Sequence, residues 1–366
     1  MTARGKGELI IWVLLGQRTG DNAQALAVSH AVAEAMGGEV VAKPLAYNRH
    51  FRTPNLLLGA TLRSLRRDGR DRLAPPWPDL VVGVGRRSVP VARWIRAQSG
   101  GSAKLVQIGR PRAPLDVFDL VVTTPQYRLP AAANVLHLLL PPLPPPALDP
   151  GEMARWRDAF AALPRPWIGV LVGGARAPYR FDAEAARDLG RQADALAARL
   201  GGSLLVTTSP RTGSAPSRAL TEATTRPAHL NLWTPGADAA DNAHQAILAL
   251  ADRFIVTAES VSMLAEACGT GKPVAICELP RRKPYPAWRG EHGLGRWLAR
   301  TGLASPPRDT QAVVRRLVDG GHAALLGTPE PDRFVPVPDE RARVVAAVRR
   351  LLDGRAAPRT HKRGAA

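Results

Sequence analysis

Short apolar runs rich in Val, Ile and Leu alternate along this chain with longer segments whose apolar residues recur every three or four positions. The first kind reads as buried strands, the second as helices with one buried face. Strands are predicted at 9–15, 40–43, 79–83, 104–108, 120–123 and 135–140, with helices at 23–36 and 89–98 among them. Residues 56–70 carry a ragged stripe of Leu57, Ala60, Leu62 and Leu65, and a basic amphipathic helix is expected there. The run PPLPPPALDP at 141–150 breaks the alternation, because proline donates no backbone hydrogen bond and stiffens a connector. With a helix over 151–162 it reads as the passage between two domains. The alternation then resumes, with strands at 167–172, 204–208, 230–233, 253–257 and 274–277, and helices at 182–200, capped by Asp182, and at 242–250. A loop at 284–295, a helix at 342–352 and a basic tail at 355–366 close the chain. Regular β-α alternation implies parallel sheets covered on both faces. The expected domains are 1–150 and 151–335, followed by a C-terminal helix at 336–353 and a tail at 354–366.

The stretch 251–277, ADRFIVTAESVSMLAEACGTGKPVAIC, organises the second half. It reads as strand, turn, short helix, turn, strand. Val261, Leu264, Ala265 and Cys268 fall at i, i+3, i+4 and i+7 and face inward. Ser260 is the expected N-cap. Ser262 and Glu266, four apart, stack on the opposite face. A helix that starts after a strand presents unpaired N–H groups and a positive dipole end, which suits phosphate. Glu266 lies roughly 9 Å along the axis from Ser260, at about 1.5 Å per residue. That spacing suits a carboxylate that holds a ribose while the diphosphate sits at the helix start. A helix with a merely polar outer face has the same pattern.

Other loops follow strands at their carboxyl ends, where open α/β sheets bind ligands. Gly173 and Gly174 would let backbone approach a phosphate, or form an ordinary tight turn. Arg211 would clamp a diphosphate, or be one more surface arginine among 44. Gly83-Val-Gly85-Arg-Arg-Ser88 is half of a dinucleotide fingerprint without its third glycine. Asp21, in the loop after the first strand, is a general base or the cap of the next helix. His50 is a second candidate base.

At 366 residues, 45% hydrophobic and 22% charged, the composition is that of a soluble globular chain with room for two cores. No apolar run approaches the roughly 20 residues of a bilayer span. Residues 1–8 lack the apolar core of a secretory signal. Two cysteines, Cys268 and Cys277, exclude a disulfide framework or a thiolate zinc cluster and fit a reducing cytosol. The eight histidines show no metal-ligand spacing, and no GxxxxGK[ST], GxSxG or Tyr-xxx-Lys motif is present. The net charge is +19, and residues 49–112 hold 14 basic residues against 3 acidic ones. Such a surface attracts polyanions. With no nucleic-acid motif and little aromatic interleaving, no nucleic acid is expected as a partner, and an anionic membrane face is preferred.

Two resemblances join these readings. Glu266, Gly271 and Pro273 have the spacing that marks the donor-binding helix of GT-B glycosyltransferases of the lipid II and lipid A type. By that resemblance Glu266 holds the nucleotide ribose, and Gly173-Gly174 is the glycine loop of the donor domain. The second resemblance spans about residues 9–280. The pieces at Gly16–Gln24, Gly83–Arg93, Gln107–Arg112, Phe118–Pro125, Thr207–Thr212 and Val256–Val274 resemble the mitochondrial fission factor family of plants, of the elongated-mitochondria type. Gln126-Tyr127 stand where that family tends to have His-Asp, and Glu259 stands for its more usual Asp.

The resulting expectation is α/β, with two Rossmann-like domains facing a cleft (GT-B-like). The function expected is a metal-independent glycosyltransferase that moves a sugar from a nucleotide-diphosphate donor to a lipid-linked or envelope acceptor. Its nucleotide and diphosphate residues are Gly173, Gly174, Arg211, Glu259, Ser260, Ser262 and Glu266, its catalytic bases Asp21 or His50. No cofactor is expected besides the nucleotide-diphosphate sugar as substrate, and the expected location is cytoplasmic, peripheral on the inner face of the membrane. The alternative is a non-catalytic membrane-surface adaptor of the fission-factor type.

Overall fold

The computed structural model describes residues 8–236, 241–282 and 293–354. The expected loop at 284–295 falls mostly outside these residues, as does the basic tail. The described chain is α/β and forms two compact units. Unit 1 gathers the described residues up to 138 with 293–306 and 339–354, and unit 2 holds the described residues of 139–282 and 307–338. The sequence placed the division at the proline run 141–150, a few residues later. It also set the C-terminal helix apart. Instead the helix Glu340–Asp353 packs into unit 1, with Val344 and Val348 fully buried beside Ala25, Val28 and Val32 of the helix Thr19–Met36. That assignment needs a long-range apolar match, which a local pattern does not carry.

Unit 1 contains β1 (Leu9–Leu15), β2 (Gly38–Pro44), β3 (Leu80–Val84), β4 (Lys104–Ile108), β5 (Leu120–Thr123) and β6 (Val135–His137). They pair in the order β2-β1-β3-β4-β5-β6, every pair parallel. Unit 2 contains β7 (Trp167–Val172), β8 (Ser203–Thr208), β9 (Ala228–Asn231), β10 (Arg253–Thr257), β11 (Val274–Cys277) and β12 (Ala324–Leu325). Their order is β12-β11-β10-β7-β8-β9, again all parallel.

Helices cover both faces of each sheet, and the strands are accordingly apolar on both sides. Ile11 and Val13 enter one core layer of unit 1, and Trp12 and Leu14 enter the other. In unit 2, Ile168, Val170 and Val172 point one way while Trp167 and Leu171 point the other. The pleat, with its period of two, makes this division.

The expected helix at 56–70 does not form. Two single turns, Asn55–Leu58 and Arg67–Arg70, stand in its place. Leu65 is fully buried and bridges antiparallel to Tyr47, and the Asn48 amide donates to the Arg63 and Leu65 carbonyls at 2.8 and 2.9 Å. Those bonds satisfy the backbone locally, so no helical ladder is needed. Helices at Ser214–Glu222, Gly293–Thr301 and Gln311–Asp319 escaped the sequence reading, as did β12.

Candidate functional site

From β7 the chain runs out through β8 and β9, then returns to place β10 on the other side of β7. The carboxyl ends of β7 and β10 therefore flank a reversal of strand order, where doubly wound sheets take ligands. Three of the loops singled out in the sequence meet there. Gly173-Gly174 follow β7, Ser209 and Arg211 follow β8, and Glu259-Ser260 follow β10 and lead into the helix Val261–Gly269.

The packing explains both glycines. A Cβ on Gly173 would lie 2.2 Å from Glu259 Oε1, 2.6 Å from Ser260 Cβ and 3.1 Å from the Arg211 guanidinium. Gly174 has φ +94, and a Cβ there would meet the Arg211 backbone at 2.4 Å. The loops are laced together. Thr257 Oγ1 accepts from the Gly173 N–H at 2.9 Å and stands 3.2 Å from Glu259 Oε1, to which it donates. The Ala175 N–H donates to the Arg211 carbonyl at 3.2 Å, and the Ser209 hydroxyl donates to the Gly173 carbonyl. The Thr212 hydroxyl donates to Val172 at 3.3 Å.

Glu259 is the exceptional group. It is fully buried, one carboxyl oxygen accepts from Thr257, and Oε2 has no hydrogen-bond partner. Burial pushes its pKa up to about 7. The hydrogen bonds from its own backbone and from Thr257, and the charges of Arg211 and Arg176, pull the other way without cancelling the burial. A buried carboxylic acid with one unpartnered oxygen thus stands at a helix start, with Arg211 and Arg176 close enough to act on it.

Ser260 occupies the N-cap position, as expected, but its side chain makes no capping bond. Its backbone takes φ −98 and ψ 79, and the first-turn N–H groups are left uncapped by it. Ser262 and Glu266 lie on the half-buried outer face of that helix. Glu266 pairs with His244 Nε2 at 3.0 Å. His244 opens the helix His244–Leu250, 22 residues away along the chain, and nothing in the sequence spacing announced it. Trp233 was also missed: 45% of it is exposed, and its backbone N–H donates to Thr208 Oγ1 at the end of β8.

Asp21 and His50 belong to unit 1. Asp21 does not cap the helix Thr19–Met36, which begins two residues before it with Arg18 at the N-cap position. Asn22 closes the preceding loop instead, accepting from the Gly16 N–H at 2.8 Å and donating to its carbonyl at 2.9 Å. His50 is exposed on the 3-10 turn Arg49–Arg52, and its backbone N–H donates to Asn48 Oδ1. Gln126, where the resembled family has histidine, is buried and donates to Thr124 Oγ1 at 3.0 Å. Cys268 and Cys277 are free and buried, with thiols pushed up to about 12 by burial. No helix among the described residues is long and apolar enough to cross a membrane.

Among solved structures, the chain is similar to ADP-heptose LPS heptosyltransferase II of E. coli. The two are 13% identical with a TM-score of 0.46, over 95% of this chain and 100% of that one. It is similar as well to UDP-GlcNAc 2-epimerase from Neisseria meningitidis, at 11% and 0.46 over 94% and 100%. The calicheamicin glycosyltransferase CalG4 matches at 12% and 0.43, over 95% and 94%. These are loose likenesses of fold and say nothing of what this chain binds. In sequence, the Mitochondrial fission protein ELM1 of Arabidopsis thaliana is 29% identical over 245 residues, 60% of this chain and 56% of that protein. Uncharacterized protein RP120 of Rickettsia prowazekii (strain Madrid E) is 33% identical over 116 residues, 31% of this chain and 30% of that protein. The chain thus spans about half the length of the plant relative and less of the rickettsial one. The family model for Mitochondrial fission ELM1 matches residues 19–313, and the chain belongs to that family.

Proposed function

We propose that unit 2 binds a nucleotide-diphosphate sugar and that the protein transfers the sugar to an acceptor hydroxyl. The observation that carries this reading is the convergence of Gly173, Gly174, Arg211, Ser260 and the orphaned carboxyl of Glu259 at the start of a nine-residue helix where strand order reverses. The Ser260 and Ser262 hydroxyls and the first-turn N–H groups receive the diphosphate. Arg211, exposed and beside Gly173, neutralises it. Glu266, steadied by His244, accepts hydrogen bonds from the ribose hydroxyls.

In the transfer, the acceptor oxygen forms a bond to the anomeric carbon while the bond from that carbon to the diphosphate oxygen breaks. The diphosphate departs with the electron pair, and its growing charge meets Arg211 and the helix dipole. A general base takes the acceptor proton, and Asp21 and His50 are the candidates the sequence offers for it. Calorimetry of the parent, Arg211→Ala and Glu266→Ala against uridine, adenosine, guanosine and cytidine diphosphates tests the assignment. Parent binding to one of them, weakened in both variants, is expected. Equal binding by Glu266→Ala and the parent removes the ribose role, and no binding to any nucleotide removes the reading.

A second reading has its own support. Gln126-Tyr127 replace the family's His-Asp, and the plant relative's name is that of a fission protein. On this reading the body is kept as a membrane-surface adaptor. Vesicle binding with no thermal shift from any nucleotide favours it over the enzyme.

A further inference from the structure

Unit 1 reverses its strand order as well. β1 lies between β2 and β3, so the loops leaving β1 and β3 flank the reversal at the carboxyl edge of the sheet. The loop after β3 is Gly85-Arg86-Arg87-Ser88, and the loop after the adjacent β4 carries Arg112. Three guanidinium groups, those of Arg86, Arg87 and Arg112, feel one another here. The pKa of Arg86 is held below its ordinary value by burial first, then by the charges of Arg112 and Arg87. Among the described residues no carboxylate pairs with any of the three.

The fold holds these like charges together deliberately. Asn55, 3% exposed, spends both amide hydrogens on the carbonyls of Arg86 and Pro111, at 2.8 and 2.9 Å, and so clamps the two arginine-bearing loops to one point. Gln107, buried at the end of β4, donates to the Gly85 carbonyl at 2.8 Å. Arg87 lies over the Phe51 ring at 4.1 Å and reaches Gln17 Oε1 at 3.4 Å. Arg86 reaches the Thr53 carbonyl at 3.4 Å. Arg112 has φ 52, in the left-handed region that side-chain-bearing residues rarely adopt and that collects at functional sites. The ten-residue helix Val89–Gln98 starts next to this cluster with no acidic residue in its first turn. Ser88 turns its hydroxyl back to the Val84 and Gly85 carbonyls and leaves the helix start uncapped.

Like charges gathered without a counter-charge are unfavourable unless an anion joins them. Several guanidinium forks on one side favour a multiply charged tetrahedral group over a single carboxylate. We propose that Arg86, Arg87 and Arg112, with the start of the helix Val89–Gln98, form a binding site for a phosphate or pyrophosphate group. The site stands whether or not unit 2 holds a nucleotide. Two sources carry this chemistry, a soluble phosphorylated compound and a phosphate headgroup in a bilayer. Leu56 and Leu57, 59% and 76% exposed beside Asn55, are the residues that separate them, since a bilayer would bury both.

The test uses the full chain carrying Arg211→Ala, so that unit 2 contributes little anion binding. It is titrated calorimetrically with sodium pyrophosphate and sedimented with vesicles of phosphatidylcholine, alone or mixed with phosphatidic acid. Arg86→Gln/Arg87→Gln/Arg112→Gln in the same background is the comparison, with circular dichroism to check folding. Binding of pyrophosphate or of phosphatidic acid vesicles, weakened about tenfold or more in the triple variant, is expected, as for lost charge-assisted hydrogen bonds. Pyrophosphate binding without vesicle binding identifies a soluble ligand. Vesicle binding that also falls with Leu56→Ser/Leu57→Ser identifies a lipid phosphate. Should the triple variant fail to fold, Arg112→Gln alone, at an exposed position, is expected to weaken binding several-fold. Undiminished binding in a folded variant, or no binding of either probe, overturns the proposal.

Discussion

The two sheets each reverse strand order once, and they furnish the two places in opposite ways. In unit 2 the loops are packed so closely that neither glycine has room for a Cβ, with Glu259 wedged against Gly173 and the Arg211 backbone pressed on Gly174. In unit 1 a Cβ added to Gly85, in the turn after β3, would meet nothing within 4 Å. Unit 2 buries a carboxylic acid and shifts its proton affinity; unit 1 leaves half-buried and exposed arginines without a carboxylate partner among the described residues. The same topology thus supports closely packed loops in unit 2 and a cluster of uncompensated arginines in unit 1. The difference comes from a few loop side chains rather than from the sheets.

The contrast breaks most sharply at the glycines. Gly174→Ala puts a methyl into backbone at a positive φ and is expected to cost about 4 kcal/mol, by overpacking and left-handed strain together. Gly85→Ala, at φ +65 but in open space, is expected to cost about 1–2 kcal/mol, from the backbone conformation alone. Urea unfolding of the two variants measures both. Similar losses would remove the claim that unit 2 is the packed site.

Next in size is the proton on Glu259. Its native pKa of about 7 lies above the ordinary 4.5, so the folded state keeps a proton that the unfolded state releases. Stability from this group is present below about pH 4.5 and is lost as pH rises through about 7, by about 3 kcal/mol in all. Glu259→Gln is expected to remove that slope and leave other titrations in place. Stability curves of parent and variant that stay parallel from pH 5 to 8 would contradict it.

Ligand effects come third. If unit 2 holds a diphosphate, Arg211→Ala is expected to weaken nucleotide binding by about 2 kcal/mol, a charge-assisted hydrogen bond's worth. Glu266→Ala and His244→Ala are expected to cost about 1 kcal/mol or less each. The double variant should be little worse than Glu266→Ala, because the histidine acts through the glutamate. Calorimetry gives all four values, and additive losses would separate the pair.

The smallest effect sharpens the comparison through salt. Anion binding at the arginine cluster of unit 1 is expected to fall several-fold between low and physiological ionic strength, and binding at the more closely packed unit 2 site by less. Titrations of Arg211→Ala and of the triple arginine variant with pyrophosphate at two salt concentrations show whether the slopes differ.

The class of fold was readable because apolar periodicity is local. Most strands fell within a few residues of their observed limits, and the run from Ala251 to Cys277 was read as strand, helix and strand in the observed order. The failures share a cause. Residues 56–70 look helical one by one, yet Leu65 prefers a bridge to Tyr47 and Asn48 takes the backbone groups a helix would have used. Asp21 looked like a cap, and Asn22 closes the loop.

For the candidate site, the sequence alone determined the chemistry available: the glycines, Arg211, Glu259, Ser260 and the polar face of Ser262 and Glu266 stand in loops after strands or on the helix they open. It determined the excess of arginine between residues 49 and 112 too. Only the tertiary structure decided which of these groups meet. It brought His244 to Glu266, took away every partner of one Glu259 oxygen, clamped Arg86 to Pro111 through Asn55, and placed the C-terminal helix in unit 1. Periodicity and loop chemistry act over a turn or a strand and are written locally, whereas burial and charge proximity are sums over residues far apart in the chain and exist only once it has folded.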